Sequence, residues 1–278
     1  MTNGVRSVST ESGVLGRMQQ RWIEEASFRA VAEGGLNPDS RESWCREIQL
    51  RARAGEPLQY LIGYWSYRQH ELRVDPRALI PRPETELIVD LVADALGGAN
   101  AIGTTHLGIE VGIGTGAISL ALASEFAGVT MWGTEISPDA LELARENASA
   151  VRCAPGSTVN FVEGDVLDGL ADDMIARAEF LVSNPPYLSD ALLGSANSTV
   201  RDYEPRSALY GGTDGLDVIR TILSDASLKM APGSFVVIEH SPEQRESVRE
   251  LARAHRFIDV ETVLDLAGRD RFLFARHA

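Results

Sequence analysis

Glu110-Val111-Gly112-Ile113-Gly114-Thr115-Gly116 lies between an apolar run at 105–111 and a helical pattern at 117–126, so its glycines mark the turn from a strand into a helix. In an open parallel sheet such turns stand at the carboxyl ends of strands, where glycines let a ligand come close to the backbone. The turn alone would serve a dinucleotide equally well. Two features favour S-adenosylmethionine over a nicotinamide dinucleotide. The spacing is Gly-x-Gly-x-Gly rather than the pyrophosphate pattern Gly-x-Gly-x-x-Gly. Glu110 also places a carboxylate where a diphosphate would be repelled and where a ligand carrying an ammonium and a sulfonium is favoured.

Outward from that turn, strand and helix patterns alternate. Strands are expected at 130–134, 159–162, 179–182, 234–239, 258–263 and 271–275, and helices at 85–96, 137–150, 215–230 and 242–255. Ser137-Pro138 supplies a capped helix start. This alternation, closed by one hairpin, implies an α/β fold: a Rossmann-like, mostly parallel seven-stranded sheet covered on both faces, with an antiparallel strand near its edge. Glu135 and Ile136 follow the second strand, and Glu135 is placed to accept hydrogen bonds from ribose hydroxyls, a role it would also have in a nicotinamide enzyme. Asp165 and Val166 follow the third. Asp165 is placed to meet the exocyclic amine of an adenine, although an acid after a glycine is also an ordinary turn residue. Asn184-Pro185-Pro186-Tyr187 follows the fourth, so all of these groups fall on one rim of one sheet.

The last of them suits one task, holding a planar NH2 group. The nitrogen of an amide or ring amine is a poor nucleophile because its lone pair is delocalised. To be alkylated it must be held by both N–H bonds with the lone pair aimed at an electrophilic carbon. The Asn184 side-chain oxygen can accept one N–H and the Pro185 carbonyl the other, while neither proline nitrogen offers a competing donor. Tyr187 can lie against the flat face of the target. Four such residues by themselves also read as a proline-rich turn closing a strand.

Toward the amino end, Leu15, Met18, Trp22, Ile23, Ala26 and Ala30 share one helical spacing within 14–32, and Trp44, Ile48 and Leu50 continue it within 39–54. Two or three short helices cannot build a large core, so they form a cap that leans on the sheet. Pro57 breaks the pattern, and residues 60–74 read as extended and aromatic, with a turn near 67–70. The expected organisation is a disordered tail at 1–10, a helical recognition domain at 11–56, a connecting hairpin at 57–82 and a catalytic domain at 83–278.

Composition limits the partners. A net charge of -14 and a pI near 4.8 argue against a dedicated nucleic-acid binder. Cys45 and Cys153 have no second cysteine or histidine at ligand spacing, so neither a metal site nor a disulfide is indicated. No leader pattern and no membrane-length apolar run is visible, which makes a cytoplasmic protein the expectation, and nothing demands more than a monomer.

The chain resembles the HemK-type protein-(glutamine-N5) methyltransferases, which act on the Gly-Gly-Gln loop of peptide chain release factors. The resemblance runs from about Gly55 to Arg271. Besides the glycine turn and Asn184 to Tyr187, it includes Glu56-Pro57-Leu58-Gln59-Tyr60-Leu61-Ile62-Gly63 and Leu79-Ile80-Pro81-Arg82-Pro83-Glu84-Thr85-Glu86. It also includes Glu204-Pro205 and Gly211-Gly212-Thr213-Asp214-Gly215-Leu216. The resemblance implies a class I methyltransferase fold and the use of S-adenosylmethionine, with S-adenosylhomocysteine as product. It further implies cofactor contacts at Gly112, Ile113, Gly114, Thr115, Gly116, Glu135 and Val166, with Asn184 touching both cofactor and substrate. Pro185 to Tyr187 would complete a glutamine pocket, and Arg82, Pro83 and Glu84 would line the passage to it. Class 1 release factors are the implied partners. Glu239-His240-Ser241 departs from the usual Glu-x-Gly, and His240 reads as a histidine at a strand terminus. An adenine or cytosine amino-methyltransferase would need the same acceptor pair together with a basic track, and a non-catalytic scaffold would need neither motif intact.

Overall fold

The computed structural model describes residues 15–98 and 105–278, so the tail expected at 1–10 lies outside it. Three helices come first: α1 (Arg17–Ala32), α2 (Arg41–Arg53) and α3 (Leu58–Ile62). They close a small core of their own from Leu15, Ile23, Ile48, Leu58 and Leu61, with Trp22 and Trp44 half-buried around it. Met18 and Leu50 share the expected spacing but remain 66% and 65% exposed. The seam between such short helices is narrow, and it continues from Ile23 to Ser27, whose hydroxyl donates to the Glu24 carbonyl at 2.6 Å.

The hairpin is β1 (Tyr64–Tyr67) with β2 (His70–Arg73), turning at Arg68, which takes φ 53°. The first part of the expected extended run is helical instead, since α3 starts after Pro57 and stops at Gly63, whose φ of 80° is a normal helix ending for glycine. Tyr67 and Leu72 are buried in the core of the large sheet. The Asn147 side chain accepts from Arg73 N at 2.8 Å and donates to the carbonyls of Arg73 at 3.1 Å and Thr115 at 3.0 Å, tying the hairpin to the glycine turn.

Beyond the hairpin come α4 (Leu87–Ala95), β3 (His106–Val111), α5 (Ala117–Glu125), β4 (Val129–Glu135), α6 (Pro138–Ala150) and β5 (Thr158–Glu163). The chain continues through α7 (Asp172–Ile175), β6 (Phe180–Ser183), α8 (Asp190–Ser195), α9 (Ser198–Tyr203), α10 (Asp217–Lys229), β7 (Phe235–Glu239), α11 (Arg245–Ala254), β8 (Phe257–Leu264) and β9 (Asp270–His277). Seven of the strands form one sheet in the order β5-β4-β3-β6-β7-β9-β8. β5 through β7 are parallel in that order, and β9 pairs antiparallel with both β7 and β8. Side chains of α4, α5 and α6, such as Ile88, Leu120 and Leu141, fill the core on one face. Ile219 and Leu223 of α10 with Val248 of α11 fill the other. From β3 the chain winds one way through β4 and β5, then returns to lay β6 on the opposite side of β3. That reversal opens a crevice at the carboxyl ends of β3 and β6.

Candidate active site

The glycine turn and the Asn184 segment leave these two neighbouring strands. Val111 pairs with Ser183 in register, and the Ser183 hydroxyl donates to the Val111 carbonyl at 2.7 Å, so Gly112 and Asn184 enter the crevice side by side. Gly112, Gly114 and Gly116 take φ of 71°, 52° and 81°, which bend the chain into α5 at no steric cost. Ile113 and Thr115 bury their side chains, so they can offer a ligand only backbone groups.

Glu110 lies beneath this turn. Its Oε2 accepts from Ser119 N at 2.8 Å and from the Ser119 hydroxyl, capping the first turn of α5 in place of the missing cap at Gly116. Burial pushes its carboxyl up to about 8, against the pull of the Ser119 bonds and with a further push from Glu135. A cation placed beside a buried carboxyl of this kind favours its ionised form. Glu135 ends β4 at the rim. Its two oxygens accept from Gly114 N and Ser137 N, each at 2.9 Å, and Ile136 beside it is 61% exposed. Asp165 is exposed on the next loop. Val166 is buried at φ 51°, strained for a β-branched residue, and its carbonyl accepts the Thr134 hydroxyl at 2.6 Å. Thr134 also accepts Gly112 N at 2.9 Å, so one residue of β4 joins the two loops. This set fits S-adenosylmethionine: carboxyl groups below and beside the turn, an exposed apolar side chain at the rim and, among the described residues, no cationic cradle for a diphosphate.

In the Asn184 segment, the Asn184 Nδ2 donates to Thr85 Oγ1 at 3.1 Å. Among the described residues, no donor reaches Asn184 Oδ1 or the Pro185 carbonyl, so both acceptors are open. Tyr187 donates its hydroxyl to Glu239 Oε1 at 3.1 Å, and burial pushes its phenol far above the ordinary range, keeping it neutral. The backbone of the segment is braced from behind. Leu188 pairs with Tyr210, and Gln244 Nε2 donates to the carbonyl of Tyr187 at 2.9 Å and to that of Gly215 at 3.1 Å. A Cβ on Gly211 would stand 2.3 Å from the Pro186 carbonyl oxygen, so only glycine lets the 211–216 segment pack there.

Residues 78–85 run across the crevice from one motif to the other. Ala78 lies beside Gly114 and packs on Ala140 and Leu143, while Thr85 reaches Asn184. Arg82 is paired with buried Glu204 at 2.6 Å, and Glu84 with Arg269 at 3.2 Å. The two charged passage residues are therefore held by partners. His240 is fully buried, bonded through Nδ1 to the Ser241 carbonyl at 2.8 Å, and burial lowers its pKa. Sequence reasoning gave no role to Thr85, Glu239, Gln244 or Thr134. Glu239 had a visible signal, an acid ending a strand of four apolar residues at the ligand-facing edge.

Residues 90–198 match the family model of the Methyltransferase small domain. The chain is 34% identical over 279 residues to the release factor glutamine methyltransferase of Geobacter sulfurreducens, covering 98% of this chain and 93% of that one. It is 37% identical over 243 residues to the protein of the same name from Deinococcus radiodurans, covering 87% and 82%. Among solved structures, the hMettl16 catalytic domain in complex with MAT2A 3'UTR hairpin 6 aligns with a TM-score of 0.56 at 18% identity over 74% of each chain. The T. Thermophilus 16S rRNA N2 G1207 methyltransferase (RsmC), in complex with AdoMet and Guanosine, aligns at 0.54 and 18% over 77% of this chain and 50% of that one. At these identities the likeness concerns the fold alone, which is that of class I methyltransferases.

Proposed function

The chain belongs to the release factor glutamine methyltransferase family, and on that premise we propose that its crevice methylates the side-chain amide nitrogen of the Gly-Gly-Gln glutamine in class 1 release factors. The observation that carries this reading is the pair of open acceptors, Asn184 Oδ1 and the Pro185 carbonyl, placed beside the glycine turn by adjacent strands. The cofactor would be held by Gly112 to Gly116 with Glu110 below, by Glu135 and Ile136, by Asp165 and Val166, and by Asn184. S-adenosylmethionine, when bound, supplies a methyl carbon activated by its positive sulfur, which keeps the bonding electron pair as S-adenosylhomocysteine forms.

The acceptors engage both N–H bonds of the glutamine amide and leave its lone pair free to attack. No strong base is needed beforehand, because the nitrogen becomes acidic only as it gains the methyl and then sheds its proton to solvent. Holding the amide in line with the methyl can supply about 7–11 kcal/mol of the barrier. The negative ends of the Asn184 and Pro185 dipoles face the charge that develops on nitrogen. Pro186 and Tyr187 complete the pocket, and Arg82 and Glu84, held by Glu204 and Arg269, line its approach. The helices within 11–56 would grip the release factor, 57–82 would connect, and 83–278 would catalyse. Among the described residues no helix is long and apolar enough to cross a membrane. A monomer working in the cytoplasm, where release factors act, completes the reading.

Transfer of tritiated methyl from S-adenosylmethionine tests it, with purified release factor and oligonucleotides offered in parallel. Label is expected in the factor. Label in an adenine- or cytosine-containing oligonucleotide, with none in the factor, would overturn the reading in favour of a nucleic-acid amine.

A further inference from the structure

An asparagine amide can be turned over with little change of shape, and the wrong orientation would set its NH2 against the NH2 of the substrate. Something must fix Asn184, and the answer lies behind it. Thr85 Oγ1 stands 2.6 Å from Glu239 Oε2 and 3.1 Å from Asn184 Nδ2. The hydroxyl has one proton, and the carboxylate can only accept, so that proton goes to Glu239. Thr85 then offers Asn184 lone pairs alone, and Asn184 must answer with its NH2, which turns Oδ1 into the crevice. The other oxygen of Glu239 accepts the Tyr187 hydroxyl at 3.1 Å, so one carboxylate orients both ends of the Asn184–Tyr187 segment. Glu239 is 1% exposed and Thr85 4%, so neither is placed to touch substrate.

We propose that Glu239 and Thr85 are positioning residues that fix the orientation of the Asn184 amide and thereby make it an acceptor for the substrate N–H. This rests on the function proposed above. Burial and Glu84 push the Glu239 carboxyl up, while the Thr85 hydroxyl, the Arg271 guanidinium and the Tyr187 hydroxyl each favour its ionised, accepting form.

The test is a comparison of Thr85→Val, Thr85→Ser and Glu239→Gln in steady-state methylation of release factor, with cofactor affinity by calorimetry and folding by circular dichroism. Losing one orienting hydrogen bond is expected to lower kcat by about tenfold in Thr85→Val, with cofactor affinity kept within about twofold. Thr85→Ser, which restores the hydroxyl, is expected to recover kcat. Glu239→Gln can donate where the carboxylate only accepts, and kcat should fall with cofactor affinity retained. A wild-type kcat in folded Thr85→Val overturns the proposal. Equal losses in Thr85→Val and Thr85→Ser overturn it too, as would an unaltered Glu239→Gln should the valine variant fail to fold. Wild-type protein that leaves the release factor unmethylated would instead overturn the proposed function.

Discussion

With its carboxyl near 8, folded Glu110 keeps its proton at pH 7, whereas the same group in the unfolded chain, near 4.5, gives it up. Below pH 4.5 both states hold the proton and the group costs nothing. As pH rises from 4.5 through 8 only the unfolded state ionises, so stability is lost across that window. Glu110→Gln should therefore melt progressively higher than wild type as pH rises through it, and a pH-independent difference in melting temperature would refute this. A positively charged ligand should draw the proton off. Binding of S-adenosylmethionine at pH 7 is expected to release a proton, seen as a binding enthalpy that differs between phosphate and Tris buffers. The difference should vanish in Glu110→Gln; equal wild-type enthalpies in both buffers would count against this role. Sequence made the position of the Glu110 carboxyl legible, because it ends a strand before a glycine turn. Its burial against Ser119 was not legible, since it depends on how α5 packs. The Thr85–Glu239 contact was hidden for a similar reason: 154 residues separate its partners, and only the sheet order brings them together.

Elements differ in how far local sequence specifies them. The strands of the large sheet were legible to within one or two residues, because apolar runs bounded by turns repeat with helical patterns between them. α8 and α9 were not, since helices of six residues carry too few apolar positions to show a period, although Ser189 and Asn197 cap their starts. Residues 60–62 of α3 read as extended because Tyr60 and Ile62 favour strands, whereas Pro57 and Gly63 bound a short helix there. Besides the packing of Tyr67 and Leu72, Asn147 ties the hairpin to the glycine turn. Asn147→Ala, leaving buried partners unpaired, should cost about 1–3 kcal/mol and speed hydrogen exchange in both the hairpin and the glycine turn. Exchange unchanged in either would show the tie to be incidental. Behind the Asn184 segment, Gly211→Ala must push a methyl against the Pro186 carbonyl. It should destabilise by about 1–3 kcal/mol and lower kcat while calorimetric cofactor affinity holds; a loss of cofactor affinity instead would place the damage elsewhere.

Across the whole molecule, the sheet order β5-β4-β3-β6-β7-β9-β8 turns four short motifs, scattered over some 75 positions of sequence, into one crevice. That convergence was legible because each motif follows a successive strand. The direction in which the sheet reverses was not, since no residue of β6 states on which side of β3 it will lie. A charge of -14 spread over such a body leaves little to hold a phosphate backbone. The protein should pass through heparin at low salt, and tight retention would reopen the nucleic-acid reading. The central claim is that Asn184 presents a glutamine amide to the methyl donor. It is tested most directly by fragment-ion mass spectrometry of the Gly-Gly-Gln peptide from release factor treated with wild type or Asn184→Ala, each saturated with cofactor by calorimetry. The account predicts one added methyl on the glutamine side chain from wild type and almost none from Asn184→Ala. A methyl on any other residue, or full methylation by the alanine variant, would contradict it.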